Sequence, residues 1–276
     1  MGNCLYLDCT SGISGDMFVA ALLDLGADEK ELIAGIKSIA DDGFDIKISK
    51  VEKSGIACTD FDVVLDEMHD GHDHDMEYLY GHLNGHQHGA DNHLETPHKE
   101  HNHQGHRGLA EIKEIISKTT FHDKTKKLAE KIFEILADAE AKAHGIPKEE
   151  VHFHEVGAID SIVDVLAAAY LVEALDVKQV YVPYLSEGQG TVRCRHGILP
   201  VPVPAVTNIV STHSIPMKIT EVQGELVTPT GAAIVAAITT SFEQPKSFEI
   251  EKTGYGAGKR EYNTAGYLRA MLISNE

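Results

Sequence analysis

Basic residues are scarce in this chain. Lys and Arg together number 24 against 43 Asp and Glu, a formal net charge of −19 at pH 7. So acidic a surface repels nucleic acid and anionic membranes and draws in cations, so neither polymer nor bilayer is expected as a partner. Cysteine is scarcer still. Cys4, Cys9, Cys58 and Cys194 are the only four, and no two form a CxxC pair, which argues against a thiolate zinc knuckle. Without a secretory signal they read as reduced thiols. Long apolar runs are also lacking: the richest, Val165 to Leu175, is too short to span a bilayer. The opening MGNCLYLDCT has neither the basic nor the apolar region of a signal peptide. Tyr6 stands where the myristoylation pattern needs Ser or Thr. A cytoplasmic protein is expected. There is no GxSxG elbow, no HExxH pair and no hydride-cofactor fingerprint.

What is present suits a globular protein. The 276 residues, 42% of them apolar, suffice for one large domain or two modest ones. CLYLDC reads as a buried strand, TSGISGD as a small-residue loop, and MFVAALLDLGA as a helix by its apolar spacing. ADEKELIAGIKSIA predicts a second helix capped by Asp28. FDIKISKVEKSG and ACTDFDVVLDE alternate as strands. Helices are predicted in GLAEIKEIISKT, in DKTKKLAEKIFEILADAEAKAHG, in SIVDVLAAAYLVEAL and after GELVTPTG, and further strands in KQVYVPYL, IPMKITEV and AGYLRAMLIS. SFEIEKTGYGAGKRE reads as a strand followed by a glycine loop. The mixture predicts an α/β or α+β fold, a mixed sheet flanked by helices. Residues 1–68 and 107–276 are expected to form one α/β domain, interrupted by a disordered histidine-rich insertion at 69–106.

Eleven of the 17 histidines fall in that insertion: His69, His72, His74, His82, His86, His88, His93, His98, His101, His103 and His106. Neutral imidazole binds nickel, zinc, cobalt and copper, and the interspersed carboxylates strengthen the attraction. The irregular spacing defines no closed geometry, so the tract reads as a metal-gathering surface, or more blandly as a solvated polar loop. In HFHE, His152 and His154 point to one side of an extended segment. Glu155 follows, Asp160 is placed to cap the next helix, and Asp164 lies one turn on. Those groups could converge on a metal, or Asp160 could be a cap and no more.

Three small-residue loops complete the inventory. Ser11, Gly12, Ser14 and Gly15 lie between strand and helix, where backbone N–H groups suit an anion. Asp8 and Asp16 flank them and could hold a bridging cation. Thr228, Thr230 and Gly231 open another helix, and Gly256 stands near Lys259 and Arg260. Each loop could equally be only a turn. In RCRHGILPVPVPA, His196 is a candidate acid–base group or ligand.

LYLDCTSGISGDMFVAALLDLGAD, VHFHEVGAIDSIVDVLAAA, GTVRCRHGILPVPVPA, GELVTPTGAA and TGYGAGKRE, in this order, resemble the LarC nickel-insertion proteins. The resemblance implies a nickel chelatase, a lyase that inserts nickel into pyridinium-3,5-bisthiocarboxylic acid mononucleotide. Its product is the nickel-pincer nucleotide cofactor of lactate racemase and related enzymes. It implies CTP with a divalent cation, Mn2+ or Mg2+, and a further C-terminal domain tied to CTP binding and oligomer formation. This chain ends at Glu276 without that domain, as a natural split subunit or a truncation. The expected partners are the pyridinium mononucleotide, the C-terminal domain or subunit and apo lactate racemase. Nickel is then placed around His152, His154, Glu155, Asp160 and His196. The substrate phosphate goes to the Ser11–Gly15 or Thr228–Gly231 helix entrance. Glu155, Glu225 and His196 are the candidate acceptors for the pyridinium C4 proton. Two other readings stay open: a non-catalytic nickel or zinc metallochaperone or store, and a nucleotide-binding regulatory protein.

Overall fold

A computed structural model of the chain describes residues 2–40, 43–65, 107–153, 157–194 and 196–274. Strand β1 (Asn3–Asp8) turns Leu5 and Leu7 into the core and Tyr6 and Asp8 to the opposite face, as the period of a strand requires. Helix α1 (Gly15–Asp24) is apolar all round and buried from Met17 to Leu22. Helix α2 (Glu29–Ile36) starts where the Asp28 carboxylate accepts the Lys30 and Glu31 N–H groups. Strands β2 (Phe44–Lys53) and β3 (Ile56–Leu65) form an antiparallel hairpin.

The next described elements are β4 (Arg107–Gly108), α3 (Leu109–Lys118) and α4 (Asp123–His144). Helix α4 stops at Gly145, whose φ of 67° is the left-handed cap that glycine adopts without strain. Then come β5 (His152–Phe153), α5 (Ile159–Ala174), β6 (Val177–Tyr181), β7 (Leu185–Gln189), β8 (Thr191–Cys194) and β9 (Gly197–Pro200). The chain closes with α6 (Pro204–His213), β10 (Met217–Gln223), α7 (Pro229–Ile238), β11 (Glu249–Ala257) and β12 (Tyr267–Ser274).

The principal sheet has six strands in the order β2-β3-β11-β12-β1-β6. It is mixed: β3 runs parallel to β11 and β1 to β6, and the other neighbours are antiparallel. Seven helices accompany it among the described residues, as the α/β reading expects. Helices α1 and α5 both touch the sheet and each other, so they cover one face. On the other face Tyr6 stacks on Phe248 at 5.4 Å. Small two-stranded ladders join β7 to β10, β8 to β9 and β4 to β5.

One expectation fails in an instructive way. TGYGA is not a loop but the second half of β11. A Cβ on Gly256 would stand 2.6 Å from the Ala21 backbone N, and one on Gly254 2.9 Å from the Leu25 N. The glycines let α1 lie directly on the sheet, so close helix–strand packing explains them.

The expected insertion at 69–106 lies outside the described residues. Its flanks do not. Leu65 ends β3, and the Arg107 guanidinium on the far side donates to the Gly157 carbonyl at 3.1 Å, just before α5 begins.

Candidate active site

A cleft of about 510 Å³ opens where three helices begin. Ser11, Ser14 and Asp16 come from the entrance of α1, Asp160 and Asp164 from the first turns of α5, and Thr228 from the cap of α7. Asp62 of β3, Glu225, and the β11–β12 connection with Lys259, Arg260 and Tyr262 close the rest. Helix N-termini carry partial positive charge, which favours carboxylates beside them.

The two small-residue loops are locked together. Ile13 N–H donates to the Leu226 carbonyl at 2.9 Å, and Thr228 N–H to the Ile13 carbonyl at 3.1 Å. Gly12, at φ 88°, lies where a Cβ would strike the Leu226 backbone, and a Cβ on Gly231 would strike that of Ile13. Thr228 Oγ1 accepts the Gly231 N–H at 3.1 Å and caps α7. Thr230 is buried in that first turn and does not line the cleft.

The acidic wall has its own logic. A Cβ on Gly15 would lie 2.5 Å from Asp164 Oδ2, so glycine leaves room for that carboxylate against α1. Asp16 accepts the Ser14 hydroxyl, and burial still raises its pKa. Asp164 is raised well above the ordinary carboxylate range, by burial first and then by Asp16 and Asp160. Lys259 is the counter-charge. Burial alone would depress it, but Asp60 at 2.7 Å and Asp62 at 3.2 Å overcome that and raise its pKa. Arg260 Nη1 binds Glu225 Oε2 at 2.9 Å.

Not every expected residue reaches this cleft. Asp8 is on the other face of the sheet, bonded to Thr10 and Arg269. Burial would raise it, yet those bonds hold it below its usual value, so it is engaged in an ion pair rather than placed to share a cation with Asp16. Asp160 does not cap α5. Ala158 is the N-cap, and Asp160 sits inside the first turn. His152 is exposed on β5. His196 is exposed at the β8–β9 turn with its ring 5.0 Å from that of His144, and it does not line the cleft. His154, Glu155 and the eleven tract histidines lie outside the described residues. Among the described residues no group of three or more His, Cys, Asp or Glu side chains is placed to hold a metal ion.

The sequence reading missed Asp60, Asp62, Tyr262 and Glu187. The signal for the first two was an acidic alternation, DFD, in a strand whose other residues are apolar but for Thr59. Glu187, a fully buried carboxylate in β7, gave no signal beyond standing in a segment of small residues.

Fold and cleft together define the class: a mixed-sheet α/β protein with an acidic, lysine-bearing cleft at converging helix N-termini. The chain belongs to the nickel insertion protein family, whose model matches residues 5–276. It is similar to the pyridinium-3,5-bisthiocarboxylic acid mononucleotide nickel insertion protein of Alkaliphilus metalliredigens (strain QYMF), 48% identical over 276 residues and covering 100% of this chain. The proteins of that name from Clostridium acetobutylicum and Acetivibrio thermocellus are 45% and 41% identical, over 99% and 97% of this chain. The chain spans 61%, 64% and 60% of those three relatives' own lengths. No solved structure matches it. No described helix is long and apolar enough to cross a membrane.

Proposed function

We propose that the chain takes part in inserting nickel into pyridinium-3,5-bisthiocarboxylic acid mononucleotide, and that the cleft holds the nucleotide. The observation that carries this reading is the convergence of the α1 and α7 entrances with Lys259 in one cleft. A phosphate there meets backbone N–H groups, the Ser14 and Thr228 hydroxyls and an ammonium, the usual recipe for an anion at helix N-termini. The names of the relatives supply the substrate.

In this reading nickel is a substrate, not a resident metal. Forming the nickel–carbon bond at C4 releases one proton, and the two thiocarboxylates give the nickel–sulfur bonds. Glu225, in the cleft and paired with Arg260, is the acceptor we assign to that proton. His152, His154, Glu155 and the tract histidines deliver nickel, with imidazole and carboxylate as exchangeable ligands. The activity is that of a nickel chelatase, a lyase. The described carboxylates form no closed cation site. We therefore assign CTP and its Mn2+ or Mg2+ to the part of the relatives that this chain does not cover, as a partner domain or subunit, and route no step through them here. Apo lactate racemase would receive the product.

The test is mass spectrometry of small molecules after incubating this chain with the bisthiocarboxylated nucleotide, nickel, manganese, CTP and the partner domain of a relative. A nickel-bearing product that vanishes when the chain is omitted supports the reading. Nickel binding with no product beyond the omission control would favour a metallochaperone instead.

A further inference from the structure

Beneath the cleft loop lies a buried carboxyl group. Glu187, on β7, is fully buried. Its Oε1 accepts three backbone N–H groups: Gly188 at 2.8 Å, Leu226 at 2.7 Å and Val227 at 3.2 Å. Among the described residues its Oε2 has no hydrogen-bond partner. A buried carboxylate is costly unless well compensated, and here the compensation is backbone rather than a cation. Two of the three donors belong to the loop that places Glu225, Leu226 and Thr228 in the cleft. Leu226 and Val227 are themselves 6% and 0% exposed, so water cannot replace the carboxylate as their acceptor.

We propose that Glu187 is a positioning residue: by holding the Leu226 and Val227 N–H groups it fixes where Glu225 and Thr228 stand in the cleft. Its functional consequence rests on the cleft reading above, whereas the clamp itself is measurable with no ligand present. The loop is also held by the Ile13 backbone, by the Gly224 N–H donating to the Gln189 carbonyl at 2.9 Å, and by Arg260 on Glu225. Glu187 adds a side-chain restraint at Leu226 and Val227.

The clamp is sensitive to pH. Burial pushes the Glu187 carboxyl up to about 7, against the pull of its three N–H donors, and Glu225 adds to the rise. Among the described residues no cation is bonded to it. Glu225 is paired with Arg260. Cys9, bridged to Leu185, has a thiol that burial raises and keeps neutral. Strand β10 sets Ile219 opposite Glu187, and the neighbouring Lys218 ammonium lies over the Tyr184 ring at 3.3 Å. A neutral carboxyl accepts more weakly than a carboxylate, so the clamp loosens as pH falls through neutrality.

The experiment uses the full chain with Glu187→Ala and Glu187→Gln. Amide exchange by NMR gives protection factors for Leu226 and Val227. Calorimetric titration with nicotinate mononucleotide, a pyridinium mononucleotide, gives affinity at about pH 6 and about pH 8, on either side of the ordinary histidine range. Glu187→Ala should lower protection of both amides by about tenfold or more, the effect of losing a bond to a charged acceptor, while amides of α5 keep theirs. Nucleotide affinity should fall by a similar factor. Glu187→Gln, with a neutral acceptor in place, should keep binding but lose the Glu187 part of the parent's pH dependence, leaving that of the nucleotide phosphate, whose second pKa is about 6. Unchanged protection in Glu187→Ala, or a Glu187→Gln pH profile identical to the parent's, overturns the proposal. If the parent itself fails to bind the nucleotide while the two amides respond as stated, the cleft reading fails and the clamp stands.

Discussion

Replacing Gly256 by Ala separates two accounts of the TGYGAG glycines. The new Cβ would stand 2.6 Å from the Ala21 N and nearer still to the Met17 carbonyl oxygen. Both are backbone atoms of α1, so no rotamer change can clear them. Against an ordinary contact of about 3.5 Å, clearing the Met17 oxygen requires the helix to withdraw by roughly 1.5 Å. It would withdraw from the sheet beneath Met17 to Leu22, the most buried stretch of the chain's first helix. Overpacking a core costs about 1–3 kcal/mol, and a backbone-on-backbone clash belongs at the upper end. At about 2–4 °C per kcal/mol for a chain of this size, the melting temperature should fall by roughly 6–12 °C. Because α1 begins at Gly15, the same movement shifts Ser14 and Asp16, so mononucleotide binding should weaken in parallel. Scanning calorimetry and titration calorimetry on one preparation read both quantities. If binding is lost while the melting temperature stays put, the glycines face a ligand and the helix-packing account is wrong.

Other perturbations probe separate parts of the structure. Asp24 accepts the Lys50 ammonium, the Thr59 hydroxyl at 2.7 Å and the Tyr255 N–H at 2.9 Å. Asp24→Ala should cost about 1–3 kcal/mol in urea unfolding at neutral pH, because the buried Thr59 hydroxyl and the half-buried Tyr255 N–H lose their acceptor. Burial would raise the Asp24 pKa, but these donors hold it below 3.8. The stabilisation is therefore present above pH 3.8 and lost as pH falls through the lower folded value, so parent and variant should converge in acid. A gap that stays constant with pH would contradict this. Lys259→Met should weaken binding of the mononucleotide by about tenfold or more and flatten its salt dependence, since a charge-assisted contact is removed. Equal affinity in titration calorimetry would take the phosphate away from Lys259. Thr228→Ala should cost about 1 kcal/mol through the lost helix cap, read as a melting shift of about 2–4 °C.

Much of the architecture was legible because local signals and tertiary structure agree. Asp28 caps α2, Gly145 ends α4, and the alternation in β2 and β3 sets their faces. The failures share one cause: the deciding partner is distant in sequence. Asp8 looks like a loop acid until Arg269, on a strand at the other end of the chain, claims it. Gly254 and Gly256 look like loop glycines until α1 is laid on them. Glu187 is unremarkable until Leu226 and Val227 present their N–H groups to it. The Asp160–Asp164 spacing was readable as one helix face, yet the four groups that join it, Asp16, Asp62, Glu225 and Lys259, come from four other stretches of chain.

The flanks of residues 66–106 set a length scale that holds for any conformation between them. Val63, two residues before the end of β3, lines the cleft, and Arg107 is bonded to Gly157, three residues ahead of cleft-lining Asp160. The span of 41 residues is thus tied down at both ends beside the same opening. At no more than about 3.6 Å per residue, no part of it can stray beyond roughly 70 Å from one of its anchors. An ion carried anywhere on it is confined to a volume in which a single copy amounts to about 1 mM. Were the eleven imidazoles to hold nickel, as proposed above, the cleft would meet it at that concentration, however scarce it is in the surrounding solution.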